Sequence, residues 1–142
     1  MRNPSDGLLP LVASTNQQHL TMERYQLSLN AENLTNLGGV FRVSSPYAEV
    51  EIVDGPNKGT KLGRTEHIWH TLNPDWAKIF CLDASPDVIV RFQVTIWDYR
   101  GENRDPILMG QTSDIEVISV YQQKAHRICE ELDGRGRYVW IT

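Results

Sequence analysis

The sequence lacks any run of about 18 apolar residues, so no segment is long enough to cross a membrane as a helix. It also lacks an excess of positive charge. A net charge of −4 and a pI near 5.5 argue against broad electrostatic binding to nucleic acid. Residues 7–13 are apolar but few, interrupted by Pro10 and preceded by Asp6, which makes them a poor match to a signal peptide. These absences favour a cytoplasmic protein that does not bind nucleic acid.

Cysteine is scarce, and the motifs of common enzyme classes are missing. Cys81 and Cys129 lie far apart, with no metal-type spacing and no disulfide framework, and we predict both to be reduced packing residues in strands. The chain has no Gly-x-Ser-x-Gly elbow, no phosphate-binding glycine loop and no His-Glu-x-x-His. His67 and His70 form the nearest approach to a metal pair, but two ligands fall short of a zinc site. We therefore expect surface histidines and no catalytic activity.

The length of 142 residues and a content of 40% hydrophobic and 23% charged residues are ordinary for one globular domain. Residues 1–21 show no periodicity and are rich in Asn, Gln, Ser and Pro, so we predict a flexible N-terminal tail. From Glu23 onward apolar and polar residues alternate, which is typical of half-buried strands. The expected domain therefore covers residues 22–142.

The alternation predicts eight short strands separated by turn residues at regular spacing. They fall at residues 25–29, 48–52, a stretch ending near 68, 76–82, 88–97, 107–112, 126–132 and 138–141. Ser113 and Glu116 fit a capping box, which predicts one short helix between the sixth and seventh strands. Many short strands with one helix indicate an all-β fold, an eight-stranded antiparallel β-sandwich.

Four polar loops are predicted to lie at the same end of this sandwich. If consecutive strands are antiparallel, every second connection lies at one end, which groups residues 33–46, 68–75, 98–106 and 133–136. Long polar loops on a rigid sandwich commonly carry function. The second loop contains Pro74 between Asn73 and Asp75, which predicts a tight turn between two strands.

Five motifs in order and register resemble the signature of the C2 domain over residues 23–142. They are Leu-Asn-Ala-Glu-Asn-Leu at 29–34, Ser-Ser-Pro-Tyr at 44–47, Thr-Leu-Asn-Pro-Asp-Trp at 71–76, Val-Thr-Ile-Trp-Asp at 94–98, and Gly110. Leu-Gly-Arg-Thr-Glu at 62–66, followed by the Asn-Pro turn, is most similar to the copine branch. The resemblance implies an eight-stranded sandwich, with the permuted (type II) topology, whose end loops dock on phospholipid or protein, often through calcium.

Most of the aspartates that bind calcium in this family are missing from the present sequence. The first-loop positions are held by Gly38 or Gly39 and by Ser45, and Arg100 stands at a third-loop aspartate position. A cation there repels calcium, which needs six to eight oxygen ligands. The residual metal candidates are Asp98, Glu102 and Asp105. We expect no cofactor and at most weak calcium binding, and Asp98 and Arg100 are candidates for a local ion pair.

The tips of the first and third loops carry apolar side chains beside arginines, a combination that suits a membrane rich in anionic lipid. The candidate lipid-docking residues are Val40, Phe41, Arg42, Tyr99, Arg100 and Arg104. In this hypothesis Arg100 supplies the positive charge that calcium brings in the relatives. The alternative is that Phe41 folds back onto the sandwich and the arginines are merely solvated.

A second candidate surface is a basic patch on the third and fourth strands. Its members are Lys58, Lys61, Arg64 and Lys78, at positions where the family often binds phosphoinositides or acidic partners. Glu49, Glu51 and Glu66 dilute the charge, so a solvated face of mixed charge is the alternative.

The sequence thus predicts a non-catalytic, peripheral docking module for anionic phospholipid that works without calcium. Two alternatives stay open: a protein-interaction domain without lipid affinity, and a weak calcium-dependent phospholipid binder. Oligomeric state is not predicted.

Overall fold

The alternating segments form two antiparallel sheets in the computed structural model, which describes residues 22–132 and 137–141. The strands are β1 (Glu23–Glu32), β2 (Pro46–Asp54), β3 (Lys61–Arg64), β4 (Asp75–Ala84), β5 (Arg91–Asp98), β6 (Ile107–Gln111), β7 (Ile115–Glu116), β8 (Ile128–Leu132) and β9 (Arg137–Ile141). One helix, α1 (Val117–Gln122), and two single 3₁₀ turns, Gly39–Phe41 and Lys124–His126, complete the described chain. The predicted tail and the 133–136 loop lie outside the described residues.

The sheet topology is that of a β-sandwich. One sheet has the order β4-β1-β9-β8, and the other has the order β3-β2-β5-β6, with β7 paired to β5 beyond β6. Every strand pair is antiparallel. The prediction of an all-β sandwich with one short helix and permuted topology is confirmed. The two-residue strand β7, which the sequence pattern did not predict, makes nine strands instead of eight within the described chain.

The core lies between the sheets and is formed by every second residue along the strands. Phe92, Val94 and Ile96 alternate along β5 and are fully buried, and each such side chain contributes about 1.5–3 kcal/mol of transfer free energy. Leu27 and Leu29 of β1 face them from the other sheet. Because both sheets bury only one face, the polar residues between these positions point to solvent.

Several predicted boundaries are wrong, and each has a local hydrogen-bonding cause. The third strand ends at Arg64 instead of near Ile68, because Thr65 turns inward and its hydroxyl oxygen accepts the Ala48 N–H at 2.9 Å. The fifth strand begins at Arg91 instead of Val88, because the Val88 N–H is held in a turn by Ser85. The chain therefore leaves each ladder where a buried hydroxyl offers another partner.

The predicted capping box is also wrong. Ile115 and Glu116 pair with β5 as β7, and the helix begins at Val117 without a side-chain cap from Glu116. The Ser113 hydroxyl donates to Glu130 at 3.1 Å instead of capping the helix. A buried Ile115 beside Phe92 therefore extends the sheet at the point where the sequence suggested a helix start.

Both cysteines are free and exposed, so the prediction that they are packing residues is wrong. Cys81 lies in β4 between Phe80 and Leu82, which are both buried, and the period of two places it on the solvent face. Among the described residues, no helix is long and apolar enough to span a membrane.

Candidate functional site at the loop end

Three of the four predicted end loops lie together, and we call this end of the sandwich the loop end: residues 33–45, 65–74 and 99–106. The Leu34 N–H donates to the Leu72 carbonyl at 3.1 Å, joining the first loop to the second. The Ser45 carbonyl accepts the Tyr99 N–H at 2.9 Å, joining the first loop to the third. Their predicted clustering is confirmed, while the fourth loop lies outside the described residues.

The first loop is built around Asn36. Its side-chain oxygen accepts the backbone N–H groups of Gly38 at 3.0 Å and Ser44 at 2.9 Å. The Ser44 hydroxyl oxygen in turn accepts the Leu37 N–H at 2.7 Å. These bonds close the base of the loop, so the 3₁₀ turn Gly39–Phe41 projects beyond it into solvent.

A buried ion pair joins the first loop to the third. Arg42 donates from its two terminal nitrogens to the two carboxylate oxygens of Asp98, at 2.9 and 3.0 Å. The Ser45 N–H donates to the same carboxylate at 2.8 Å, and Asp98 has no exposed surface. Bidentate pairs of this kind are the strongest charge-assisted hydrogen bonds in proteins.

The ion pair sets the charge state of Asp98. Burial alone would raise its pKa, but the hydrogen bonds from Arg42 and from the Ser45 N–H outweigh burial, so the pKa lies below its ordinary value. The predicted pair between Asp98 and Arg100 is therefore wrong: the partner is Arg42, from another loop. Arg42, which the sequence predicts as a lipid-docking residue, is bound to Asp98, and its side chain is 26% exposed.

The residues present do not fit a calcium ion. Both carboxylate oxygens of Asp98 already accept hydrogen bonds from Arg42, so this carboxylate is not free to bind a cation. The other metal candidates, Glu102 and Asp105, are exposed on the third loop. Within residues 22–132 and 137–141, no group of three or more His, Cys, Asp or Glu residues is placed to hold a metal ion.

Exposed apolar side chains form a rim at the loop end, which we call the apolar rim. Phe41 is 99% exposed and Val40 is 89% exposed, so the alternative that Phe41 folds back onto the sandwich is wrong. Val43 of the first loop and Trp69 of the second, 58% exposed, complete the rim. Neither was predicted as a docking residue. A signal for Trp69 was present, since an aromatic residue beyond the last alternating position of a strand has no core position to fill.

Aromatic rings brace the second loop against the third. The ring of His67 stacks on Tyr99 with centroids 4.0 Å apart, and Trp69 contacts His67 edge to face at 4.7 Å. Tyr99, a predicted docking residue, is thus half-buried and also contacts Trp69, with ring centroids 5.7 Å apart. Arg104 is exposed and Arg100 half-buried, and neither side chain has a hydrogen-bond or ion-pair partner in the described chain.

The basic patch lies on two edge strands that contact each other, β3 and β4. Lys61 and Arg64 are exposed on β3 and Lys78 on β4, while Lys58 lies in the turn before β3. The Glu66 carboxylate accepts the Ala77 N–H at 2.7 Å and so ties the two strands together. The structure therefore brings three of the four cations onto neighbouring strands, but Glu49 and Glu51 of β2 stand directly opposite Arg64 and Lys61.

The chain is similar to known proteins in both sequence pattern and fold. A family model for the C2 domain matches residues 26–127. A structure described as a C2 domain has 18% identity and a TM-score of 0.58, covering 85% of this chain and 96% of that one. A C2 domain of a plant extended synaptotagmin 1 has 14% identity and a TM-score of 0.62, covering 83% and 90%.

A third similar structure is human GIVD cytosolic phospholipase A2, with 17% identity and a TM-score of 0.65. The match covers 85% of this chain but only 16% of that larger protein. At these identities the likeness concerns the fold alone. No curated protein matches the sequence.

Proposed function

This chain belongs to the C2 domain family, and on that premise we propose that it is a non-catalytic module that docks on anionic phospholipid membranes without calcium. The observation that carries the proposal is the ion pair between Arg42 and Asp98, which joins the first loop to the third. In relatives that use calcium, the metal lies between these loops, as the family resemblance implies. Here a side chain of the protein itself supplies the cation.

A built-in cation removes the need for a metal in two ways. The guanidinium of Arg42 compensates the negative charge of the buried Asp98 carboxylate, so no metal ion is needed to balance that charge. It also fixes the geometry of the loop end before any membrane arrives, because Asp98 accepts from Ser45 of the first loop as well. In this proposal Arg42, and not Arg100, supplies the positive charge that calcium brings in the relatives.

The apolar rim supports membrane docking as the activity of the loop end. Transfer of one Phe side chain from water into an apolar environment contributes about 1.5–3 kcal/mol, and Phe41 is almost fully exposed in the free protein. Arg100 and Arg104 flank the rim on the third loop, and each basic residue near an anionic surface adds about 1 kcal/mol. Apolar tips with adjacent cations suit the interface of such a membrane.

The proposal also covers the branch of the family, the cellular compartment and the extent of the domain. Membership of the copine-like branch rests on Leu-Gly-Arg-Thr-Glu at residues 62–66 followed by Asn73 and Pro74. A cytoplasmic protein that binds membranes peripherally follows from the docking function, and nucleic acid is not a proposed partner. The domain is proposed to cover residues 22–142.

We expect the protein to bind phosphatidylserine-containing vesicles equally in excess calcium and in excess chelator. Calcium has no ligand set to complete, because Arg42 already holds Asp98. Cosedimentation over a series of vesicle concentrations measures this, with pure phosphatidylcholine vesicles as the control for charge. Binding only with calcium would make the protein a weak calcium-dependent binder. No binding in either condition would favour a protein-interaction domain instead.

The basic patch is proposed as a secondary contact with phosphoinositide headgroups. We expect K61E to weaken binding to phosphoinositide-containing vesicles by at least about 5-fold and to reduce its salt dependence, because about 1 kcal/mol per basic residue is lost. The matched control is K124E, which makes the same charge change on the turn Lys124–His126. Equal effects of the two variants would identify a solvated face that responds only to net charge.

A further inference from the structure

A cleft lies between the first and second loops at the loop end. It has a volume of about 420 Å³, and it is lined by residues between Asn36 and Val43 of the first loop and by His70 of the second. Its apolar wall includes Val40 and Phe41, the most exposed side chains of the apolar rim. None of the described residues that line the cleft carries a negative charge. The cleft therefore combines an apolar wall with polar and basic side chains.

Arg42 keeps one hydrogen-bond donor for a ligand in this cleft. Its bonds to the Asp98 carboxylate and to the Tyr99 carbonyl all leave from the two terminal nitrogens. Within the described residues its Nε–H donates to no acceptor, and the partly exposed side chain lines the cleft. Because Asp98 already balances the charge of Arg42, this guanidinium offers a donor but little net charge.

His70 is the residue of the cleft whose side chain can gain a charge. Its backbone N–H donates to the hydroxyl of the buried Ser45 at 3.1 Å, which holds the residue at the cleft. Its φ of 55° lies in the left-handed region, which is uncommon for residues other than glycine. The imidazole is exposed, and its centroid lies 5.8 Å from that of the Trp69 ring. Histidine is the side chain that becomes positively charged between about pH 8 and pH 5.

We propose that this cleft binds the glycerol-linked phosphate group of an anionic membrane lipid, between protonated His70 and the Arg42 Nε–H. The position of the cleft favours this ligand. Val40 and Phe41 form its wall, so when they enter the membrane interface the cleft lies at the level of the headgroup phosphates. Hydrogen bonds from charged donors to phosphate are among the strong ones in proteins. This inference rests on the proposed membrane docking and adds to it a dependence on pH.

The charged and titratable groups near His70 in the described chain come from three elements. Arg42 of the first loop lines the same cleft, and it is paired with Asp98 of β5. On the second loop, His67 contacts the other side of the aromatic cluster, with its ring centroid 4.7 Å from that of Trp69. The negative charge of a bound phosphate is compensated best when His70 carries its proton, so phosphate and proton bind cooperatively.

Vesicle cosedimentation of the full-length protein at about pH 6 and at about pH 7.5, across the range in which histidine titrates, tests this site. We expect the wild-type protein to bind phosphatidylserine-containing vesicles about 5-fold more tightly at the lower pH, the contribution of one added positive charge at an anionic surface. H70N should bind equally at both pH values, because Asn stays neutral and readily adopts the same left-handed backbone conformation.

Two control variants remove other histidines. His126 has a φ of 52° and lies beside the start of β1, away from the loop end, so H126N makes the same change in the same backbone conformation and should keep the wild-type pH ratio. H67F keeps an aromatic ring against Tyr99 and removes the second titratable group of the loop end. It should keep the ratio as well.

Nuclear magnetic resonance separates contact with a phosphate from the general attraction of a charged surface. At about pH 6, where histidine gains its charge, soluble dihexanoyl phosphatidic acid below its micelle concentration should shift the ring resonances of His70. The ring resonances of His126 should not change. Sodium hexanoate at the same concentration has an apolar tail and a charge but no phosphate, and it should shift neither.

The opposite results overturn the inference. A pH ratio that H70N leaves unchanged, or that H67F removes, excludes His70 as the responsive group. Equal shifts with hexanoate and with the phospholipid exclude a site selective for phosphate. Wild-type binding that is the same at both pH values overturns the inference and leaves calcium-independent docking intact, whereas the absence of vesicle binding at either pH overturns the proposed function as well.

Discussion

The variant R42A is expected to lose about 3–5 kcal/mol of unfolding free energy, the cost of leaving a buried charge without its partner. Asp98 has no exposed surface, and Arg42 donates to both of its oxygens. After the substitution both Arg42 donors are lost, and the carboxylate keeps the Ser45 N–H and a smaller contribution from the Ser44 side chain. A loss of this size is a large fraction of the total stability of an ordinary domain.

Urea denaturation followed by tryptophan fluorescence measures the change, and two variants separate its causes. R104A removes the same side chain from an exposed position on the third loop and should change the free energy by less than about 0.5 kcal/mol. R42M/D98N removes both charges and should be more stable than R42A, because no buried carboxylate is left unpaired. Equal stability of R42A and R104A would contradict a structural role for the ion pair.

The same pair predicts how stability depends on pH. The pKa of Asp98 in the folded protein lies below its ordinary value, because hydrogen bonds from Arg42 and Ser45 outweigh burial. Its contribution is therefore fully present above the unfolded-state pKa of about 3.9 and is lost as the pH falls through the folded-state value. We expect the wild-type free energy of unfolding to fall below about pH 4 more steeply than that of D98N.

The strand pattern was predictable from sequence because the period of two is a local property. The alternation along β5 places Phe92, Val94 and Ile96 in the core without any knowledge of the partner strands. The same alternation predicts that Cys81 faces solvent, because it lies between two buried positions of β4. The tendency of cysteine to be buried is therefore overridden here by its position in the alternation.

The loop end was less predictable because its key contacts join residues distant in sequence. Asp98 is paired with Arg42, 56 residues away, whereas Arg100 was the nearest arginine and hence the natural candidate. Asp98 occupies a buried position at the end of β5, and the side chain that reaches both of its oxygens comes from the first loop. The sequence pattern indicates that Trp69 has no core position, but its edge-to-face contact with Tyr99 of the third loop is visible only in the structure.

The double variant V40S/F41S is expected to bind anionic vesicles about 100-fold more weakly than the wild-type protein. Both side chains are almost fully exposed in the free protein, and their transfer to the membrane interface contributes about 3 kcal/mol in total. The stability of the fold should not change, because neither side chain belongs to the core. Vesicle cosedimentation and urea denaturation of the same preparation measure the two quantities side by side.

The control must remove exposed apolar side chains from a place that does not dock. Ile79 and Ile89 are 50% and 47% exposed and lie on β4 and on the β4–β5 connection, away from the loop end. We expect I79S/I89S to bind vesicles as the wild-type protein does. Equal weakening by both double variants would indicate nonspecific hydrophobic adsorption. Wild-type binding by V40S/F41S would remove the apolar rim from the docking surface and leave the cations of the third loop and the basic patch to account for membrane attachment.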